Sequence, residues 1–193
     1  MIRRSTSRQP RRFGFTMMEI IIVLMLTGII AALAYPKIDV GRYKADSVVT
    51  TVRSVMQQAQ RASLVSQHDV IVSFDLTGHR IRVVWDANND HLLGFGERST
   101  WTSLTSGNRF GLPQAGVRGG VTQPVTGSNV RMLDGMPTVT FHRDGSLSSD
   151  LEIYMSTIAS PTRWRAVTVI QATGRTDWYR KGVKDANWVA GVL

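Results

Sequence analysis

Asp86, Asn88, Asp90 and Glu97 stand at positions 1, 3, 5 and 12 of the stretch DANNDHLLGFGE, with Leu93 as its apolar eighth residue. Oxygen donors at that spacing can wrap a calcium ion. His91 takes the sixth place, where the sharp turn of such a loop wants glycine, and the flanks read as strand and loop instead of two helices. The same residues suit a structural Asx-rich turn, and both readings stay open at this level. A second group lies near the end of the chain, in GRTDWYRKGVKDANW. There Arg175, Arg180, Lys181 and Lys184 are interleaved with Trp178 and Tyr179, a pattern that could supply phosphate contacts and a stacking surface for DNA. A solvated edge strand whose aromatics face the core explains the same residues. The four histidines, His68, His79, His91 and His142, are scattered over turns and strand ends. No nucleophile elbow, phosphate loop or zinc spacing accompanies them, so an enzyme is not expected.

The third group is a single acid in the wrong solvent. FGFTMMEIIIVLMLTGIIAALAYP, residues 13–36, is apolar except for Glu19 near its start. From Phe15 to Tyr35 it counts 21 residues, which as a helix rise about 32 Å against a hydrocarbon thickness of about 30 Å. A secretory signal has a shorter apolar core of about 7–15 residues and a small-residue cleavage site, whereas here the arginines stop before Gly14 and the apolar run starts at once. The expectation is a membrane anchor with its basic end on the cytoplasmic side. A carboxylate toward the middle of such a helix costs on the order of 2.5–3.5 kcal/mol and survives where it has a partner.

Charge is distributed unevenly. The formal net charge is +9, but residues 1–14 hold five arginines and no acid, and residues 15–160 hold 12 basic and 12 acidic residues. The basic excess of a nucleic-acid binder therefore belongs to the two ends and not to the body. Cysteine is absent, which excludes a disulfide framework or thiolate metal site.

Gly14-Phe15-Thr16-Met17-Met18-Glu19 followed by an apolar helix ending in Ala34-Tyr35-Pro36 resembles the class III signal of type IV pilins and type II secretion pseudopilins. The resemblance implies that prepilin peptidase cuts after Gly14, that Phe15 becomes an N-methylated terminus, and that Glu19 pairs with the terminal amine of a neighbouring subunit. Such an amine would neutralise the carboxylate where the dielectric is low. Cleavage would leave 18 basic against 14 acidic residues, a mature charge of +4.

The elements that must position these groups follow from periodicity. Pro36 should bend or interrupt the helix. Beyond it Ala45, Val48, Val49, Val52, Val55, Met56, Ala59 and Ala62 recur at helical spacing within one arc, with Asp46, Thr50, Arg53, Gln57, Gln60 and Arg61 largely outside it. The apolar arc predicts packing on a sheet, and the opposite face predicts filament contacts. After residue 68 the period becomes two. Val70–Phe74 and Arg80–Trp85 flank Asp75-Leu76-Thr77-Gly78, and Thr138–Phe141 precedes Arg143-Asp144-Gly145-Ser146, which predicts two hairpins. Leu151–Met155, Arg163–Gln171 and Arg175–Tyr179 predict further strands. Residues 102–128, rich in glycine and hydroxyl side chains, predict irregular structure.

VTFHRDGSL and RWRAVTVIQATGRTDWY resemble the GspH/FimT group of minor pseudopilins and minor pilins, with Phe141, Gly145, Val167, Val169, Gly174 and Arg175 at the matching places. The expected fold is α+β: a long N-terminal helix, transmembrane then amphipathic, packed on an antiparallel sheet. The expected organisation is a basic leader over 1–14, a transmembrane segment over 15–36, an amphipathic continuation over 37–67 and a β-rich head over 68–193. The resemblance implies a single-pass protein of the bacterial inner membrane with a periplasmic head, which later enters a filament. Its implied partners are other pilin or pseudopilin subunits, prepilin peptidase and the inner-membrane assembly platform. Some FimT-like minor pilins bind DNA through a Gly-Arg-x-Arg turn, which Gly174-Arg175 begins; Asp177 replaces the second arginine and repels phosphate. DNA capture at a pilus tip is the alternative function. No cofactor is implied beyond the calcium considered above.

Overall fold

A computed structural model of the chain describes residues 14–34, 40–104, 107–113, 117–158, 160–182, 185 and 187–191. The chain divides into two units, residues 1–39 and 40–193. The first holds helix α1, Met17–Ala34. Pro36 and the kink expected there lie outside the described residues.

The second unit is built on helix α2, Val40–Ser66. Its predicted apolar arc is its buried one: Ala45, Val48, Val49, Val52, Val55, Met56 and Ala59 are all buried, and Ala62 packs at their margin. Two antiparallel sheets receive it. The first has the order β3-β2-β1-β7-β6, from β1 (Asp69–Asp75), β2 (Arg80–Asp86), β3 (Ser99–Ser103), β6 (Arg131–Leu133) and β7 (Met136–Phe141). The second has the order β11-β10-β9-β8-β4, from β4 (Asn108–Phe110), β8 (Leu151–Thr157), β9 (Ser160–Val169), β10 (Thr176–Lys181) and β11 (Val189–Ala190), and β5 (Val125–Thr126) also pairs with β8. Alternation along β1 turns Val70, Val72 and Phe74 to one face, as period two requires. Val70, Val72 and Phe74 of the first sheet and Ile153, Met155, Val167 and Val169 of the second meet the helix in one core. Phe74 and Phe110 join the sheets edge to face at 6.0 Å.

The α+β class expected from periodicity is the class observed, but one sheet has become two. The turn after β7 is the reason. Residues 143–146 turn as predicted, with His142 N–H donating to the Ser146 carbonyl at 2.8 Å, and the bridge Phe141↔Leu147 and a bond from Ser148 N–H to the Thr140 carbonyl at 2.8 Å follow before the pairing ends. Leu147 enters the core, and the chain crosses to the second sheet instead of closing a hairpin. The first predicted hairpin holds, in register from Asp69↔Asp86 to Asp75↔Arg80. Asp75 caps its turn, accepting from the N–H groups of Thr77 and Gly78 and from Arg80 Nε at 2.8 Å. The Gly78 hydrogen bond above all, then Arg80, holds the Asp75 carboxyl below the usual carboxylate range.

The segment expected to be irregular contains β4, β5 and the end of β3. β3 reads Ser-Thr-Trp-Thr-Ser and carries no apolar alternation, so periodicity could not reveal it. β6 and β7 are joined by Asp134-Gly135 at φ 50° and 73°, a two-residue Asp-Gly turn that is a strong hairpin signal in sequence.

The helix face expected to meet other subunits is partly engaged within the head. Asp46, Arg53 and Gln60 are spaced seven apart and hence two turns apart; the first two reach strands of the second sheet and Gln60 reaches the turns after β7 and before β10. Asp46 accepts from Arg165 Nε at 2.7 Å, Arg53 Nε donates to Thr176 Oγ1 at 3.4 Å, and Gln60 Nε2 donates to the carbonyls of Gly145 and Thr173 at 2.9 and 2.7 Å. This corrects the assignment of those three residues to a filament face. Gly145 and Gly174 adopt φ of 80° and 62°, and a Cβ on Gly174 would collide with the Gln60 amide. The Gln60 amide therefore excludes a side chain at Gly174, while a Cβ on Gly145 would press on Leu64 at 3.2 Å.

Candidate functional site

At the N-terminus Thr16 caps α1. The Glu19 N–H donates to Thr16 Oγ1 at 3.2 Å and to its carbonyl at 3.1 Å, so Thr16 and Glu19 hold the first and fourth places of a capping box. Glu19 thus lies in the first turn and not toward the middle of the helix, at the end where the macrodipole favours an anion. Phe15 is 78% exposed, and Gly14 has open space around it: a Cβ there would meet nothing within 4 Å. The only other hydrogen-bonding side chain of α1, Thr27, returns its hydroxyl to the carbonyls of Val23 and Leu24 at 2.8 and 3.0 Å, and apolar surface faces outward all round. The 18 residues of α1 rise about 27 Å, slightly less than the hydrocarbon thickness. Among the described residues no helix is long and apolar enough to cross a membrane.

The Asp86–Glu97 loop closes on itself. Asp86 is fully buried, and its two oxygens accept from the N–H groups of Asp90 at 3.1 Å and His91 at 2.8 Å. Asp90 accepts from Leu92 N–H and from Asn88 Nδ2, both at 2.8 Å, and Glu97 Oε2 accepts from Gly94 N–H at 2.7 Å. Carboxylate oxygens of Asp86, Asp90 and Glu97 lie within 4.8 Å of one another. The structure thus brings together three of the four predicted donors, while Asn88 serves Asp90. His91 adopts φ 61°, the conformation for which a calcium loop prefers glycine at that place. These hydrogen bonds are those of an Asx-rich turn, and the turn gathers the three acids.

Two histidines that look isolated in the sequence are neighbours here. Asp69 begins β1, Asp86 ends β2 beside it, and His142 follows the paired residue of β7. His142 Nδ1 lies 3.1 Å from Asp69 Oδ2, and His91 Nδ1 lies 3.6 Å from the same oxygen and 3.8 Å from Asp86 Oδ2. Strand order β2-β1-β7 made this group, and spacing in the sequence contains no trace of it.

On β10 alternation divides the predicted DNA surface. Trp178 is 7% exposed and belongs to the core, so it offers no stacking face; this corrects its assignment beside Tyr179. Tyr179 points to the other side, its ring covered by the Arg118 guanidinium at 3.8 Å. Arg175 is bound to Asp177 through Nε and Nη2 at 3.3 and 3.1 Å. Arg180 and Lys181 are half-buried, and Arg53 and Arg175 line one open cavity of about 480 Å³. Lys184 lies outside the described residues.

Residues 9–35 match the family model described as the prokaryotic N-terminal methylation motif. The chain has a type IV pilin-like N-terminus. Gly14, Phe15, Glu19 and α1 all lie within that pilin-like segment. Among solved structures, the minor pseudopilin EpsH from the type 2 secretion system of Vibrio cholerae is similar at 11% identity and a TM-score of 0.46, over 76% of this chain and 97% of that one. A likeness of that size carries no functional weight. No curated protein matches the chain.

Proposed function

We propose that this protein is a minor pilin or pseudopilin. It is inserted in the inner membrane as a single-pass precursor with its head in the periplasm, cut by prepilin peptidase between Gly14 and Phe15, methylated on Phe15, and then assembled with other subunits by an inner-membrane platform. The methylation motif over residues 9–35 carries this reading. Two features of the chain support it. A Cβ on Gly14 would meet nothing within 4 Å among the described residues, so the position is open to approach, as recognition by a peptidase requires. Glu19 lies four residues beyond Phe15, where a terminal amine freed by cleavage in a neighbouring subunit could neutralise it within an apolar bundle. Within the precursor the acid is already tolerated as a first-turn residue, so pairing would be a property of assembly. Mass spectrometry of the mature protein from its native host tests the proposal. A chain beginning at N-methylated Phe15 is expected; an intact residue 1–14 segment would overturn it.

DNA capture by the head is the second function we propose to test, because Arg53 of α2 and Arg175 approach one cavity. Asp177 on Arg175 and the burial of Trp178 weigh against it. Gel shift of the full chain in detergent, with and without Arg53→Ala plus Arg175→Ala, separates the two: a tip binder loses retention in the variant and at high salt, whereas a purely structural subunit retains no DNA at all.

A further inference from the structure

Among the strands that end the two sheets, β4, β6 and β11 have three, three and two residues, and β4 and β6 each carry an arginine. β3 has five residues with no charge and no proline, and among the described residues no strand pairs with its outer side. Shortness, charge and proline are the usual protections of a sheet edge, and β3 has none of them. We propose that β3 accepts an extended, uncharged segment of a different filament subunit as a further strand of the first sheet, an inference that rests on the pilin-like reading above. The backbone fixes which groups it offers. Trp85 N–H donates to the Arg98 carbonyl at 2.9 Å and Leu104 N–H to the His79 carbonyl at 3.0 Å, so the pairs Val83↔Thr100 and Ile81↔Thr102 between them also face each other in the ladder. Ser99, Trp101 and Ser103 therefore aim their N–H and C=O groups away from β2, where an added strand would take them.

The surroundings of that edge select the occupant. An open groove of about 490 Å³ lies between Thr102 of β3 and the Ser47, Thr50, Ser54 and Gln58 side chains of α2, so α2 would cover the inner face of an added strand. On the outer face Trp101 is 41% exposed, with the guanidinium groups of Arg80 and Arg82 at 4.1 and 5.5 Å from its ring centroid. Those arginines are paired with Asp75 and Asp134, each at 2.8 Å. Neither the groove nor the Trp101 side offers a free counter-charge, so a charged segment would lose its water without compensation. Lipid is excluded, because hydrocarbon would leave the outward backbone groups without partners. A second copy satisfies the register, since Ser-Thr-Trp-Thr-Ser reads the same in both directions and would set Trp101 against Trp101. The two-fold axis of such a pair is normal to the sheet and reverses α2. The two chains would then continue from the N-terminal ends of α2 in opposite directions, which two anchors in one membrane do not allow.

The experiment uses filaments from the native host carrying Ser103→Cys, a unique thiol in a chain without cysteine, labelled with a benzophenone. Light should join the chain to one different subunit of the same filaments, identified by mass spectrometry of the adduct. Ser99→Pro in that background removes an outward N–H while leaving the bonds to β2 in place, and should lower the adduct yield at least about tenfold. Circular dichroism of the variant, expected to match the parent, separates loss of pairing from loss of fold. Ser99→Lys places a charge at the same exposed position without altering the backbone and should lower the yield at least about threefold, whereas Ser99→Ala should leave it unchanged. An adduct of twice the mass of the chain would make the occupant a second copy and overturn the inference. So would the lack of any adduct in filaments that contain the chain, or a yield that neither Ser99→Pro nor Ser99→Lys changes. Absence of the chain from filaments, with residues 1–14 still attached, would instead refute the pilin-like reading, so the two failures are distinguishable.

Discussion

Gly174→Ala probes the point where α2, the turn after β7 and the turn before β10 are pinned together. The parent places Gln60 Nε2 on the carbonyls of Gly145 and Thr173, and an added Cβ on residue 174 would occupy the same space as that amide. Alanine at φ 62° costs about 1 kcal/mol in backbone strain alone. Expelling Gln60 removes two hydrogen bonds worth about 0.5–1.5 kcal/mol each, so the variant should lose about 2–4 kcal/mol. For a chain of this length that corresponds to a thermal midpoint lower by about 4–16 °C. Gln60→Ala alone should cost about 1–3 kcal/mol, the hydrogen bonds without the strain. In the double variant the obstacle and the bonds are already gone, so only the strain is added, and the total should be close to that of Gly174→Ala. The cycle therefore predicts a coupling of about 1–3 kcal/mol, measured by urea unfolding of all four proteins. Additive losses would refute the view that one glutamine dictates the glycine.

Gly14→Ala should leave the unfolding midpoint unchanged while abolishing removal of residues 1–14, read by mass spectrometry; normal processing would return the glycine to chance. Glu19→Ala should be processed and methylated yet fail to enter filaments, which immunoblots of sheared filament fractions would reveal. Asp86→Ala removes a buried carboxylate from two backbone N–H groups and should destabilise the head by about 2–4 kcal/mol in denaturant unfolding. Asp75 has a folded pKa below its unfolded value, so its stabilising contribution is present above the unfolded carboxylate pKa near 4 and is lost as pH falls through the lower, folded one. Asp75→Asn should therefore flatten part of the acid limb of a stability profile taken from pH 6 down to 2, and an unchanged limb would contradict the assignment.

Local chemistry is written in the order of the residues, and so it was legible. Apolar residues recurring every three or four positions marked the buried face of α2, alternation marked β1, β2 and β7, and Asp75 announced its turn. The N-terminal motif could be read because every part of it lies within one short run, from Gly14 to the end of α1. What failed lies at longer range. The second hairpin became a crossover because Leu147 found its place in the core between the sheets, a choice made by packing. Asp46, Arg53 and Gln60 looked free on a helical wheel, but a wheel does not show that a second sheet lies along that side. Trp178 and Tyr179 are adjacent in sequence and opposite in space. His91 and His142 are 51 residues apart and meet only because β1 lies between β2 and β7. The sequence by itself determined the apolar N-terminal helix, its single acid and most of the strands, since hydrophobic period and turn chemistry act between near neighbours. Tertiary structure alone decided which polar side chains would share a site, because strand order brings distant residues together and no local rule encodes that order.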